Sequence, residues 1–135
     1  MSSMRGSRAE QIVLNLFRIV VGFLFWQHGA VKLFGWFGGF REPGQTAELA
    51  SLMGVAGILE FFGGMLITVG LFTRPVAFIL AGEMAVAYFK AHFPQGPWQI
   101  MNRGEASTFF AFAFLYLAAR GGGRFSLDGV LRKKA

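Results

Sequence analysis

A chain that contains the stretch Ile12–Phe34 has few folds open to it. At a helical rise of 1.5 Å per residue, these 23 residues cover roughly 34 Å, which matches a hydrocarbon core of about 30 Å. The fourteen Ile, Val, Leu and Phe residues of the stretch favour insertion by roughly 6 kcal/mol, more than the roughly 3 kcal/mol that a mid-membrane charge costs. Arg18 and Lys32 therefore do not keep it out of a bilayer. The run exceeds the apolar region of a cleaved signal peptide, and no A-x-A site follows it.

Three further apolar runs follow. The second, Leu49–Leu71, is interrupted by Glu60 and stops at Gly70, beside Thr73-Arg74-Pro75. The third starts at Pro75, which a first helical turn tolerates, and runs to Phe93 before Pro94-Gln95-Gly96-Pro97. The fourth, Ala106–Ala119, has 14 residues and covers only about 21 Å, so it is expected to begin nearer Asn102 or to sit where the bilayer thins. The pattern predicts one all-α membrane domain: a four-helix bundle with helices at about 11–34, 49–71, 75–93 and 102–119 and a basic tail over 120–135. Composition agrees, with 54% hydrophobic and 15% charged residues where a soluble domain is about a quarter charged.

Charge placement orients these helices. Arg5, Arg8, Arg74, Arg120, Arg124, Arg132, Lys133 and Lys134 fall on one side of a four-span layout, whereas Arg41 and Arg103, with Lys32 and Lys90 near helix ends, fall on the other. The positive-inside bias then places both termini in the cytoplasm. Because the basic residues flank apolar runs instead of forming a stripe with interleaved aromatics, the net charge of +6 points to topology and lipid, not to nucleic acid. Trp36 and its aromatic neighbours after the first run, and Trp98 after the third, suit an outer interfacial belt, with capping of a ligand as the alternative role for the Trp36 loop.

Ionisable residues inside the apolar layer are costly and usually face a partner or a cavity. They are Arg18, His28 and Lys32 on the first run, Glu60 on the second, and Glu83, Lys90 and His92 on the third. Measured from the cytoplasmic ends of the runs, Arg18 lies at about 9 Å, Glu83 at about 12 Å and Glu60 at about 17 Å. These depths predict a buried Arg18–Glu83 ion pair, with Glu60 sharing Arg18 or reaching towards His28 or Lys90. One reading makes all these charges a means of fixing helix order. The other has His28, Lys32 and Glu60 line a pocket in the outer half of the bilayer, with Lys90 and His92 at its rim, where a carboxylate and an imidazole hold a quinone carbonyl or relay protons. Two histidines are too few for a metal site, and none is predicted. Small-residue stripes at Ala50, Gly54, Gly57, Gly64 and Thr68, and at Ala77, Ala81 and Ala85, predict close helix packing.

The sequence resembles the DoxX family of small bacterial four-helix membrane proteins. The likeness rests on His28-Gly29 with Lys32-Leu33-Phe34-Gly35, Gly57 with Glu60 and Gly63-Gly64, and Gly70-Leu71-Phe72-Thr73-Arg74. It continues through His92-Phe93-Pro94 with Gly96, Glu105, and Gly123-Arg124-Phe125-Ser126-Leu127-Asp128, covering nearly all of residues 11–131. Glu83 has no place in that pattern. The resemblance implies an inner-membrane protein and, since some relatives are membrane subunits of quinone-reducing systems such as thiosulfate:quinone oxidoreductase, membrane or soluble redox partners.

Cysteine is absent, as are a haem-attachment motif and a nucleotide-binding glycine loop, so the chain alone is not expected to be a complete oxidoreductase. Two function classes remain open. The chain is a membrane subunit or accessory of a quinone-linked redox assembly, or it is a structural or assembly protein or a carrier of a small hydrophobic compound. Self-association is compatible with either. Outside the apolar layer, Arg74 reads as part of a basic turn, Glu105 as an N-terminal cap and Ser126-Leu127-Asp128 as the cap or anchor of an amphipathic tail.

Overall fold

Ser7 and Glu10 start the first helix. The Ser7 hydroxyl accepts from the Glu10 N–H and the Glu10 carboxylate accepts from the Ser7 N–H, both at 3.1 Å, which satisfies two of the donors a helix start leaves open. The computed structural model describes residues 6–134, so Arg5 of the basic N-tail lies outside the described residues. The described residues form helices and loops with no strand.

Helix α1 spans Arg8–Phe34 and ends at Gly35 in the left-handed conformation that glycine adopts freely. Helix α2, Leu52–Val69, is shorter than the apolar run because the Ser51 hydroxyl caps it and left-handed Gly70 stops it. Helix α3, Thr73–Ala87, continues through a π turn at Tyr88–His92 and a 3₁₀ turn at Phe93–Gln95, where Pro94 ends regular bonding. A single turn, α4 (Gln99–Asn102), precedes α5 (Glu105–Arg120). The last long helix therefore starts later than the expected residue 102. Arg103 is left-handed, and the Asn102 carbonyl oxygen of the side chain accepts from Gly104 N–H at 2.8 Å, which closes a turn there. Glu105 occupies the first turn of α5, where a negative charge suits the helix dipole. The basic tail is itself partly helical, as α6 (Leu127–Lys134).

Packing runs antiparallel along the chain. Gly22 lies against Thr68, Gly64 against Trp26 and Gly57 against Lys32, so α2 descends as α1 rises. A Cβ on Gly64 would come within 2.7 Å of the Trp26 Cα, and one on Gly29 would strike the Phe61 backbone. This seam is legible in the small-residue stripe. Gly63 meets Leu80 of α3, and α5 returns along both α3 and α1, with Phe25 set against Phe110 and Phe114. The core is Phe25, Ile67, Leu80, Phe114 and Leu117, with Ala77 and Met84 filling between them. The start of α1, the α2–α3 turn and the start of α6 share one end of the molecule, called the base below.

The outside is as apolar as the inside. In the most apolar stretches of α1, α2 and Thr73–Gln95, only 39%, 33% and 28% of the residues are buried, and Val13, Val20, Phe62, Phe78 and Phe89 point outward. A soluble protein does not leave helices greasy all round. These three helices are long and apolar enough to cross a bilayer, whereas the 16 residues of α5 cover about 24 Å.

Candidate functional site

Two places bury ionised side chains between helices. At the base, Arg18 is 2% exposed. Its Nε donates to the Ile67 carbonyl at 3.1 Å, and its Nη1 donates to the Asn15 side-chain oxygen at 2.6 Å and to the Gly122 carbonyl at 2.5 Å. Ile67 lies in the last turn of α2, where carbonyls lack helical partners and the dipole is negative. Arg18 thus ties α1 to the end of α2 and to the glycine turn after α5. The predicted Arg18–Glu83 ion pair does not form: Arg18 is level with the last turn of α2, while Glu83 lies ten residues, about 15 Å, beyond the start of α3.

The second place lies where α1, α2 and α3 meet. Lys32 Nζ and Glu60 Oε1 are 2.6 Å apart, and Glu60 is 3% exposed. The ammonium reaches Glu60 because Gly57, one turn before it, leaves room for the Lys32 stem: a Cβ there would sit 2.9 Å from the Lys32 Cβ. The carboxyl of Glu83 lies beside that of Glu60. Both Glu83 oxygens are buried and neither has a hydrogen-bond partner. His28 completes the neighbourhood, near enough for its charge to interact with Lys32 and Glu60, with its ring packed on Phe110 at 5.9 Å.

Of the predicted pocket residues, Lys32 and Glu60 are thus joined and His28 lies near them. The suggested rim residues both lie on the π turn that continues α3. Lys90 is exposed on the π turn, and His92 Nδ1 lies 3.0 Å from the Asn102 carbonyl oxygen, within a knot that pins the α3–α5 connection. Asn102 is fully buried there and donates to the Tyr88 hydroxyl at 3.0 Å and the Gly96 carbonyl at 2.8 Å. Among the described residues, no group of three or more His, Asp or Glu is placed to hold a metal ion.

Above the ion pair, the loop after α1 folds back onto the α1–α2 face. Ala47 N–H donates to the Lys32 carbonyl at 2.7 Å, and Trp36 stacks on Phe34 with ring centres 5.0 Å apart and meets Trp26 edge-on at 6.2 Å. Trp26 Nε1 is buried beneath this cluster with no hydrogen-bond partner.

At the base, Asp128 is a tertiary cap that sequence spacing does not reveal as one. Its carboxylate accepts from the Phe72 N–H at 2.9 Å and the Thr73 N–H at 2.8 Å, supplying the start of α3 with the cap that Phe72 lacks. The tail motif anchors α6 to the α2–α3 turn.

This arrangement is that of a multi-pass membrane protein with an ionisable cluster buried between its helices. The chain belongs to the DoxX family, whose model matches residues 13–93. It is 39% identical over 129 residues to an uncharacterized protein of Haemophilus influenzae, covering 90% of this chain and 92% of that protein. It is 31% identical over 136 residues to the inner membrane protein YqjF of Escherichia coli, covering 94% of this chain and 98% of that one. No solved structure matches. Family, relative and apolar helices together make it a multi-pass inner-membrane protein, with lipid around the helices.

Proposed function

We propose that this chain is a four-span membrane subunit of a quinone-linked redox assembly, with both termini in the cytoplasm and the Lys32–Glu60 pair facing the quinone site. The observation that carries the reading is the 2.6 Å ion pair buried at the junction of three helices, with His28 close by. A buried ion pair is a weak way to gain stability, and ionisable groups at membrane depth are by default functional. The fourth span would be α5, which runs antiparallel to α1 and α3. Its return brings Gly122 to Arg18 at the base, beside the cationic residues Arg8, Arg74 and Arg120. An even number of crossings and a basic base both favour cytoplasmic ends.

Reduction of a quinone to its quinol takes two electrons and two protons. The electrons would come from a partner redox subunit. The chain's own groups would orient the quinone carbonyl, with the Lys32 ammonium and a ring N–H of His28 as donors, and exchange protons through carboxyl and imidazole. One observation favours a second reading, carriage of a small hydrophobic compound: a groove of about 500 Å³ between α3 and α5 is lined by Phe78, Ala81, Ala85, Phe89, Ala111 and Phe112.

Mass spectrometry of the small molecules that accompany the protein out of native membranes tests both. The redox reading predicts a quinone in the wild-type protein that Glu60→Gln fails to retain. A different lipophile in both proteins, or none, contradicts it.

A further inference from the structure

Charge counting at the junction of α1, α2 and α3 leaves one group without a counterpart. Lys32 matches Glu60, while Glu83 stands beside Glu60 with both oxygens buried and unbonded. The groups facing this point are Lys32 and His28 from α1, Glu60 from α2 and Glu83 from α3. Helix α5 has no titratable residue between Glu105 and Tyr116. Two carboxylates and one ammonium would leave an uncompensated negative charge away from water, which is strongly unfavourable. Neighbouring carboxyls commonly avoid this by sharing one proton.

We infer that Glu60 and Glu83 hold one exchangeable proton between them inside the membrane, with Lys32 fixing the position of the pair. Binding converts one carboxylate to a carboxylic acid, whose O–H is then available to the other carboxylate; no other bond forms or breaks. The charge on the Lys32–Glu60–Glu83 cluster moves from one negative to zero. His28 is a neighbouring base through which the proton can leave. This extends the proposed reading of the Lys32–Glu60 site, but its test needs neither quinone nor partner.

The test is infrared difference spectroscopy of the full-length protein in lipid, across a pH series. The expected result is a carbonyl band of a protonated carboxylic acid at neutral pH that shifts in D₂O. It should disappear in Glu83→Gln and also in Glu60→Gln, because the single remaining carboxylate then pairs with Lys32. Both variants should keep the wild-type thermal midpoint to within a few degrees, since each replaces a carboxyl with a neutral group of the same shape. A wild-type spectrum without the band would overturn the inference, as would its persistence in Glu83→Gln or unfolding of that variant. Dependence of the midpoint on sodium or potassium without the band would assign the charge to a metal cation instead. A band without bound quinone would leave the shared proton standing and remove the quinone reading; bound quinone without the band would do the reverse.

Discussion

The base and the middle of the bundle each bury a cation, and they treat it differently. Arg18 meets neutral acceptors, two backbone carbonyls and one side-chain amide, drawn from three parts of the chain. Lys32, 14 residues or about 21 Å further along the same helix, meets a carboxylate with a second carboxyl alongside. A guanidinium held by helix-end carbonyls has a fixed protonation state and a fixed geometry, which suits a tie between helices. A lysine paired with one of two neighbouring carboxyls fixes a cluster that suits the proposed exchange. Burial alone does not mark a functional charge.

Four substitutions probe that contrast. Lys32→Met should have the largest effect on stability, about 3–5 kcal/mol, because it strands Glu60 without a counter-charge. Adding Glu60→Gln should restore most of the loss, as judged by unfolding in detergent; a double variant as unstable as the single one would mean that Lys32 acts through packing. Arg18→Met should lose about 3 kcal/mol by the same measurement, since the Ile67 and Gly122 carbonyls lose a charged donor. The Lys32–Glu60 pair should be undisturbed, so bound small molecules per folded protein should match wild type. Asp128→Ala should cost about 1 kcal/mol, the usual worth of a helix cap, and loosen α6 from the α2–α3 turn. Hydrogen exchange at Phe72 and Thr73 would show it.

Much of this was legible in the sequence, where the signal was local. Apolar runs located the three long helices, Gly70 and Pro94 marked two stops, and Gly57 and Gly64 marked the seam between α1 and α2. Lys32 and Glu60 group together in the sequence because both lie within the apolar layer and close to its small-residue faces. What escaped was tertiary. Backbone carbonyls carry no sequence signature, so the sequence points Arg18 towards Glu83, whereas its acceptors are Ile67, Gly122 and the nearby Asn15. Asp128 caps a helix that starts 55 residues earlier. Depths taken from the apolar runs also miss the Ser7–Glu10 capping box, which starts α1 at Arg8, and so misplace Arg18, which is level with Ile67 near the end of α2. Counted from Thr73 and Gly70, Glu83 and Glu60 each lie ten residues from the base.

The most direct test is quinone-dependent electron transfer in native membranes, compared between Glu60→Gln and Asp128→Ala at equal amounts of folded protein. Loss of a positioned proton-exchanging group typically costs 10² to 10⁴ in rate. The account predicts a fall of roughly 10²-fold or more for Glu60→Gln and wild-type transfer for Asp128→Ala. Unchanged transfer in folded Glu60→Gln would contradict it, and the middle of the bundle would then be as purely structural as the base.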